Sequence, residues 1–135
     1  PDEVVDGSEV DVVARIMELT GGRGADVIIT ATAAKVAQEQ AIAMAARNGR
    51  ISFFGGLPKT DPVIGCDSNV VHYRQLHIHG ANGSAPEHNK RALEYISTGQ
   101  VPVADLITHR IPLEDALSAL DLVRSGEAIK VTVNP

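Results

Sequence analysis

Aromatic residues and cysteines are the scarcest components of this sequence. Its 135 residues include two Phe, two Tyr, no Trp and a single Cys. One cysteine excludes an internal disulfide framework and any zinc cluster built from cysteines. With so few rings, the core must be built from Ala, Val, Ile and Leu, with Gly at points of close approach. Such a composition is typical of layered α/β proteins.

Basic residues and long hydrophobic runs are also in short supply. Lys and Arg number 12 against 17 Asp and Glu, which gives a formal net charge of −5. Nucleic acids and anionic membrane surfaces recruit basic faces, so we expect neither as a partner. No apolar stretch approaches the ~18 residues of a membrane span. No signal peptide is visible, and we expect a cytoplasmic protein.

Helical and strand-like patterns alternate along the chain and predict a parallel sheet. A capping-box pattern at Ser8 predicts a helix at about 8–20. The short apolar run at 25–31 predicts a strand buried on both faces. A helix at about 34–47 and a strand at 50–55 would complete a βαβ unit, whose strands are parallel. The remaining predicted elements are a strand at 76–80, a helix from Pro86 to about Thr98 with a capping box of Ser84 and Glu87, an extended segment at 101–111, a helix from Pro112 to Gly126 and a terminal strand at 129–133.

Small residues follow each of the first three predicted strands. They form the segments Ala31-Thr32-Ala33, Phe54-Gly55-Gly56 and Gly80-Ala81-Asn82-Gly83. The carboxyl ends of parallel strands form the ligand-binding edge of an open α/β sheet, and small residues there let the backbone approach a flat cofactor. The same glycines are equally expected in tight turns. The residue pattern alone leaves both interpretations open.

Three other features favour structural roles. The glycine-rich stretch 21–24 precedes a strand, whereas a phosphate-binding loop must follow one and open a helix. The pair His77 and His79 lies on one face of a predicted strand, but no third ligand completes a metal site. Cys66 has no basic neighbour that would activate its thiol. We therefore expect no metal site and no catalytic residue in this chain.

Two stretches of the sequence carry a family resemblance. The first contains Gly24-Ala25-Asp26, Asn48-Gly49-Arg50 and Phe54-Gly55-Gly56, and the second reads LITHRIPLEDA at 106–116 and SGEAIK at 125–130. Together they resemble the C-terminal portion of medium-chain, zinc-dependent alcohol and polyol dehydrogenases. The resemblance covers essentially the whole chain and is nearest to the sorbitol (iditol) and threonine dehydrogenase branch.

The resemblance implies a fold and a division into domains. Residues 1–84 would form the second half of a Rossmann-type doubly wound parallel sheet, strands 4-5-6 of the order 3-2-1-4-5-6. Residues 85–135 would be a C-terminal segment that packs on the catalytic domain. The family's phosphate-binding loop and zinc ligands have no counterpart here. We therefore expect the chain to be a fragment of a protein more than twice as long.

The resemblance also implies an activity for that parent protein: hydride transfer between a secondary alcohol or polyol and NAD or NADP. The parent's zinc, held by ligands outside this chain, would polarise the alcohol oxygen. This chain would seat the cofactor and be inactive alone. The residues that the resemblance places at the cofactor are Ala31 and Thr32 on the adenosine and ribose side, Phe54, Gly55 and Gly56 at the nicotinamide ring, Ala81 and Gly83 in a second such segment, and Lys130 at the pyrophosphate.

Lys130 departs from the family pattern, because an Arg often occupies its position. A lysine offers a point charge where an arginine offers a bidentate fork. Without the resemblance, Lys130 would be interpreted as a solvated lysine at a strand end, because lysines are usually exposed.

Association is expected at the strand 76–80, which would be the last strand of the half-sheet. An unpaired strand edge offers free N–H and C=O groups to another chain. The family's subunits commonly pair there, so we expect a homodimer, or a tetramer built from it. Two other functions stay open on sequence grounds: a stand-alone module that binds a nucleotide or a partner without catalysis, and a zinc-free quinone reductase.

Overall fold

The computed structural model describes residues 1–135, which divide into two compact units, Pro1–Gly83 and Ser84–Pro135. The first unit is built around a three-stranded sheet. Its elements in chain order are α1 (Val12–Leu19), β1 (Ala25–Ile29), α2 (Lys35–Met44), β2 (Ala45–Phe53), α3 (Ser68–Arg74) and β3 (His77–Gly80).

All strands of this sheet run parallel, in the order β1-β2-β3. Helix α2 connects β1 to β2, and α3 lies in the connection from β2 to β3. Successive strands are therefore neighbours that are joined by helical crossovers. The predicted α/β fold with a parallel sheet is confirmed.

The core of the first unit lies between α2 and one face of the sheet. Ile51 of the central strand is completely buried, and Ile28 beside it in register is 8% exposed. Ala41 and Ile42 of α2 pack against them. Ala41 has no exposed surface, and its small side chain lets α2 lie close to the sheet.

The opposite face of β1 is open, which corrects the expectation of a strand buried on both faces. Val27 is 65% exposed and Ile29 is 64% exposed. Side chains alternate along a strand, so these two residues point away from the face that carries Ile28. The helices of this unit cover only the Ile28 face.

Helix α1 starts later than predicted because its cap is Asp11, not Ser8. The Asp11 carboxylate accepts a hydrogen bond of 2.9 Å from the Ala14 N–H. Ser8 donates from both its N–H and its hydroxyl to Asp6, at 2.8 and 2.7 Å, and is held in a turn ahead of the helix.

Helix α2 ends at Met44, three residues earlier than predicted. Ala45 adopts an extended conformation and pairs with Ala25 of β1. Asn48 takes a left-handed φ of 59° inside the strand, where the register shifts. Burial of Ala45 against the sheet, at 1% exposure, outweighs its helix propensity.

The second unit contains a smaller sheet, a parallel pair of two strands. The segment predicted as extended contains a 3₁₀ turn, Val103–Leu106, and the last helix starts at Ser118 after another such turn, Leu113–Asp115. The elements in chain order are α4 (Pro86–Ser97), β4 (His109–Pro112), α5 (Ser118–Arg124) and β5 (Val131–Asn134).

The cap of α4 differs from the predicted pair of Ser84 and Glu87. Ala85 is the N-cap residue, and its N–H donates to Nδ1 of His88 at 3.1 Å. The imidazole thereby takes the place that a Glu side chain has in a capping box.

No residue of the second unit is buried. None of the helices of the chain is long and apolar enough to cross a membrane. Large apolar side chains at or above 49% exposure in this unit are Leu93, Leu106, Leu113, Leu117, Leu120, Val123 and Ile129.

Candidate functional site

The carboxyl ends of the three parallel strands meet at one edge of the first unit's sheet. In register, Ile29 pairs with Ser52 and Ser52 with His79, and Phe53 pairs with Gly80 one step further along. The loops that follow the strands therefore start side by side. They bring together seven of the eight cofactor residues predicted from the sequence: Ala31, Thr32, Phe54, Gly55, Gly56, Ala81 and Gly83.

Buried Thr30 joins the end of β1 to the end of β2. Its N–H and its hydroxyl both donate to the Ser52 carbonyl, at 3.0 and 3.3 Å. Its own carbonyl accepts from the Gly55 N–H at 2.7 Å. On the other side of β2, the Ala81 N–H donates to the Phe53 carbonyl at 3.2 Å. The three loops are thus tied together through their backbones.

Gly55 and Gly56 have opposite surroundings. A Cβ atom on Gly55 would overlap the carbonyl group of Thr32, so the two loops touch only because residue 55 has no side chain. A Cβ atom on Gly56 would meet nothing within 4 Å. Gly55 therefore packs the edge together, and Gly56 borders open space.

Phe54 and Gly83 complete the exposed part of this edge. The Phe54 ring is 63% exposed, although it is one of only two phenylalanines in the chain. Gly83 has a φ of 70° and open space around it. The edge thus combines an exposed aromatic residue with exposed backbone.

Gln38 belongs to this edge and was missed by the sequence reasoning. It lies on the inner side of α2, is 5% exposed, and donates from Nε2 to the Gly55 carbonyl at 3.1 Å. A signal was available, since Gln38 shares a helical face with Ala41 and Ile42. A polar residue on an otherwise apolar face must find a partner when it is buried.

Lys130, the eighth predicted residue, belongs to the second unit. Its carbonyl accepts from the N–H groups of Thr108 and His109, at 3.0 and 3.2 Å. Its ammonium group takes part in none of the chain's ion pairs. The residue borders a cavity of about 400 Å³, whose other lining residues are Val103, Leu106, Ile107 and Ile129.

The sheet edge carries no cluster of metal-binding side chains. No group of three or more His, Cys, Asp or Glu side chains in the chain could hold a metal ion. His77 and His79 are exposed on the same strand face, with parallel rings and centroids 6.3 Å apart. Cys66 is an exposed free thiol.

Two groups in the N-terminal segment have shifted pKa values. Hydrogen bonds from Ser8 hold the pKa of Asp6 below its usual value. The pKa of the Arg15 guanidinium is raised by Glu3 and then by Glu18. Asp6 and Arg15 lie outside the three strand-end loops.

Comparison with known proteins identifies relatives that share this architecture. Residues 1–98 match the family model described as zinc-binding dehydrogenase. Over 134 residues the chain is 28% identical to a sorbitol dehydrogenase of Halalkalibacterium halodurans. The aligned region covers 99% of this chain and 38% of that protein.

Solved structures agree with this match. An alcohol dehydrogenase of Thermotoga maritima superposes with a TM-score of 0.82 at 32% identity, over 97% of this chain and 37% of that one. A protein of Sinorhizobium meliloti 1021 described as a zinc-binding dehydrogenase, bound to NADP, superposes with a TM-score of 0.83 at 26% identity, over 97% of this chain and 38% of that one. The chain thus spans little more than a third of the length of these relatives.

Proposed function

The chain belongs to the zinc-binding dehydrogenase family, and we propose that it forms the C-terminal part of a longer oxidoreductase. The parent would transfer a hydride between a secondary alcohol or polyol and NAD or NADP. The observation that carries this proposal is the sheet edge, where three small-residue loops meet and Gly56 leaves open space. The likeness to a sorbitol dehydrogenase supports a polyol as the substrate class.

The strand-end residues fit a nicotinamide cofactor. The nicotinamide ring, when bound, supplies the carbon that gives or accepts the hydride. Phe54, Gly55 and Gly56 would hold that end, and Ala81 and Gly83 would support it from the next loop. Ala31 and Thr32 would border the adenosine and ribose side. Their part is to orient the cofactor through backbone contacts and to exclude water.

We propose that Lys130 binds the pyrophosphate of the cofactor. Its ammonium group is free of ion pairs within the chain. A phosphate group could therefore bind it without breaking an existing contact, which supports the proposed role at the pyrophosphate.

Zinc does not fit this chain, because no set of side chains here could ligate it. The family match implies zinc in the parent, and we propose that the ligands lie in the remainder of that protein. No part of the zinc chemistry is assigned to the residues of this chain.

The two units would have separate roles. We propose that residues 1–84 complete the dinucleotide-binding domain and that residues 85–135 pack on the catalytic domain. The exposed apolar surface of the second unit supports this division. Leu113 and Leu117 of this unit are 58% and 80% exposed, and Ile129 is 72% exposed. Ile129 also borders the apolar cavity of this unit, and an exposed apolar patch there favours an interaction site.

The parent would associate through β3, as a homodimer or as a tetramer built from it. This strand pairs only with β2, so its other edge has unsatisfied backbone groups. No Pro, Lys or Glu lies in His77–Gly80 to protect that edge. A two-fold axis would pair the strand with its own copy.

A cytoplasmic location accords with the exposed free thiol of Cys66, since thiols stay reduced in the cytoplasm.

The proposal is tested on the full-length protein that contains this chain. Titration calorimetry with NAD and NADP measures cofactor binding, and oxidation of sorbitol, threitol, threonine and simple secondary alcohols is followed by absorbance of the reduced cofactor. We expect binding of one cofactor and turnover of at least one polyol or secondary alcohol. Absence of binding to both cofactors would refute the proposed function.

A further inference from the structure

Gln38 is one of only two buried polar residues in the chain, the other being Thr30. Both contact the same strand-end loop. The backbone carbonyl of Thr30 accepts a hydrogen bond from the Gly55 N–H at 2.7 Å, and Nε2 of Gln38 donates one to the Gly55 carbonyl at 3.1 Å. Both polar groups of the Gly55 backbone are therefore held from the interior of the unit.

This arrangement determines the direction of the next amide. The chain has no cis peptide bond, so the Gly56 N–H points opposite to the Gly55 carbonyl. That carbonyl faces Gln38 in the core, and the Gly56 N–H accordingly faces away from the core. It has no acceptor within the chain, and the space at Gly56 is open.

We propose that Gln38 is a positioning residue for the cofactor: by holding the Gly55 carbonyl, it aims the Gly56 N–H at the ligand. This inference rests on the proposed function of the sheet edge. Two consecutive glycines have wide conformational freedom, and a ligand that had to order them would bind more weakly. Together with the Thr30 hydrogen bond and the contact with Thr32, the hydrogen bond from Gln38 restricts that freedom before the cofactor arrives.

The decisive comparison is between Gln38→Met and Gln40→Met in the full-length protein. Both variants replace the same amide with the same thioether on α2. Gln40 is only half-buried and makes no hydrogen bond to the loop, so it serves as the matched control. Cofactor affinity is measured by calorimetry, and the exchange rate of the Gly55 amide is measured by hydrogen–deuterium exchange on peptides that cover 53–57.

We expect Gln38→Met to weaken cofactor binding by roughly threefold to tenfold, the worth of one hydrogen bond. The Gly55 amide should also exchange faster in that variant without cofactor, and Gln40→Met should change neither quantity. Equal cofactor affinity in the two variants would overturn the role of Gln38 and leave the proposed function intact. A wild-type protein that binds neither NAD nor NADP would overturn both.

A third variant separates positioning from a general structural role. In Gln38→Glu, the carboxyl group can donate to the Gly55 carbonyl only when it is protonated. Relative to wild type, cofactor affinity of this variant should therefore recover as the pH is lowered. A deficit that does not change with pH would contradict the positioning role.

Discussion

Gly55 and Gly56 are neighbours in sequence but differ in what confines them. Residue 55 packs closely against the Thr32 backbone and is hydrogen-bonded to Thr30 and Gln38. Residue 56 faces open space. One glycine is required by packing, and the other leaves room at the edge where the cofactor is proposed to lie.

Substitutions at these two glycines should therefore have different effects. Gly55→Ala forces its new methyl group into the Thr32 carbonyl, and we expect a loss of about 1–3 kcal/mol in the free energy of unfolding. Gly56→Val should leave the melting temperature near the wild-type value and lower cofactor affinity, because the side chain fills ligand space. Denaturant unfolding and cofactor titration of the full-length variants measure both quantities. A destabilised Gly56→Val with normal affinity would instead indicate a turn glycine.

Lys130 offers a second test at the scale of single residues. In the full-length protein, Lys130→Ala should weaken cofactor binding and leave the choice among alcohols nearly unchanged. A charged hydrogen bond to phosphate contributes roughly 1.5–3 kcal/mol, about one to two decades in affinity. Lys130→Arg, which keeps the charge, is the control and should bind at least as well as wild type. If Lys130→Ala binds the cofactor with wild-type affinity, the residue does not belong to the site.

Among the elements, β3 offers a direct test of association. Its backbone N–H groups point alternately to β2 and to the open edge of the sheet. The Ala81 N–H donates to the Phe53 carbonyl of β2, so the N–H groups at 79 and 77 face β2 as well. The N–H groups of Ile78 and Gly80 point to the open edge. A proline at 78 would remove a donor from that edge without breaking the ladder to β2.

We expect Ile78→Pro to give monomers that keep their helices. The comparison variant is His79→Pro, which removes an N–H that faces β2 and should lower thermal stability. Light scattering reports the mass, and circular dichroism reports the fold. A wild-type protein that is monomeric at high micromolar concentration would contradict pairing through this edge.

At the scale of the whole molecule, the chain has one buried core and one unit without any. The six buried apolar residues all lie in the first unit. The second unit has a cavity bordered by Val103, Ile107 and Ile129, and leucines that face outward. Exposed apolar surface of this kind is typical of a site that another protein surface covers.

The isolated 135-residue chain should accordingly show no dehydrogenase activity. It has no group of side chains that could hold zinc, and it spans 38% of the related sorbitol dehydrogenase. The assay follows reduction of NAD with sorbitol against a metal-free blank. Turnover above the blank that is lost in Lys130→Ala would show that the chain catalyses by itself.

The parallel sheet, the family and the order of the helices and strands other than α3 were predictable from the sequence alone. Apolar periodicity and glycine punctuation are local properties of the chain, and the motif stretches 24–56 and 106–130 are read directly from it. The strand-end residues were also predictable as a group, because parallel strands place their carboxyl ends at one edge. The site roles of those residues remain predictions.

Only the tertiary structure separated Gly55 from Gly56 and identified Gly55 as the partner of Gln38. Contact with Thr32 depends on how two loops far apart in sequence approach each other, and no local pattern encodes that distance. The end of α2 was likewise decided by tertiary contact, since Ala45 leaves the helix to pair with Ala25. The exposed face of β1 has the same origin: a strand's side chains are buried only where another element covers them, and coverage is a property of the assembled fold.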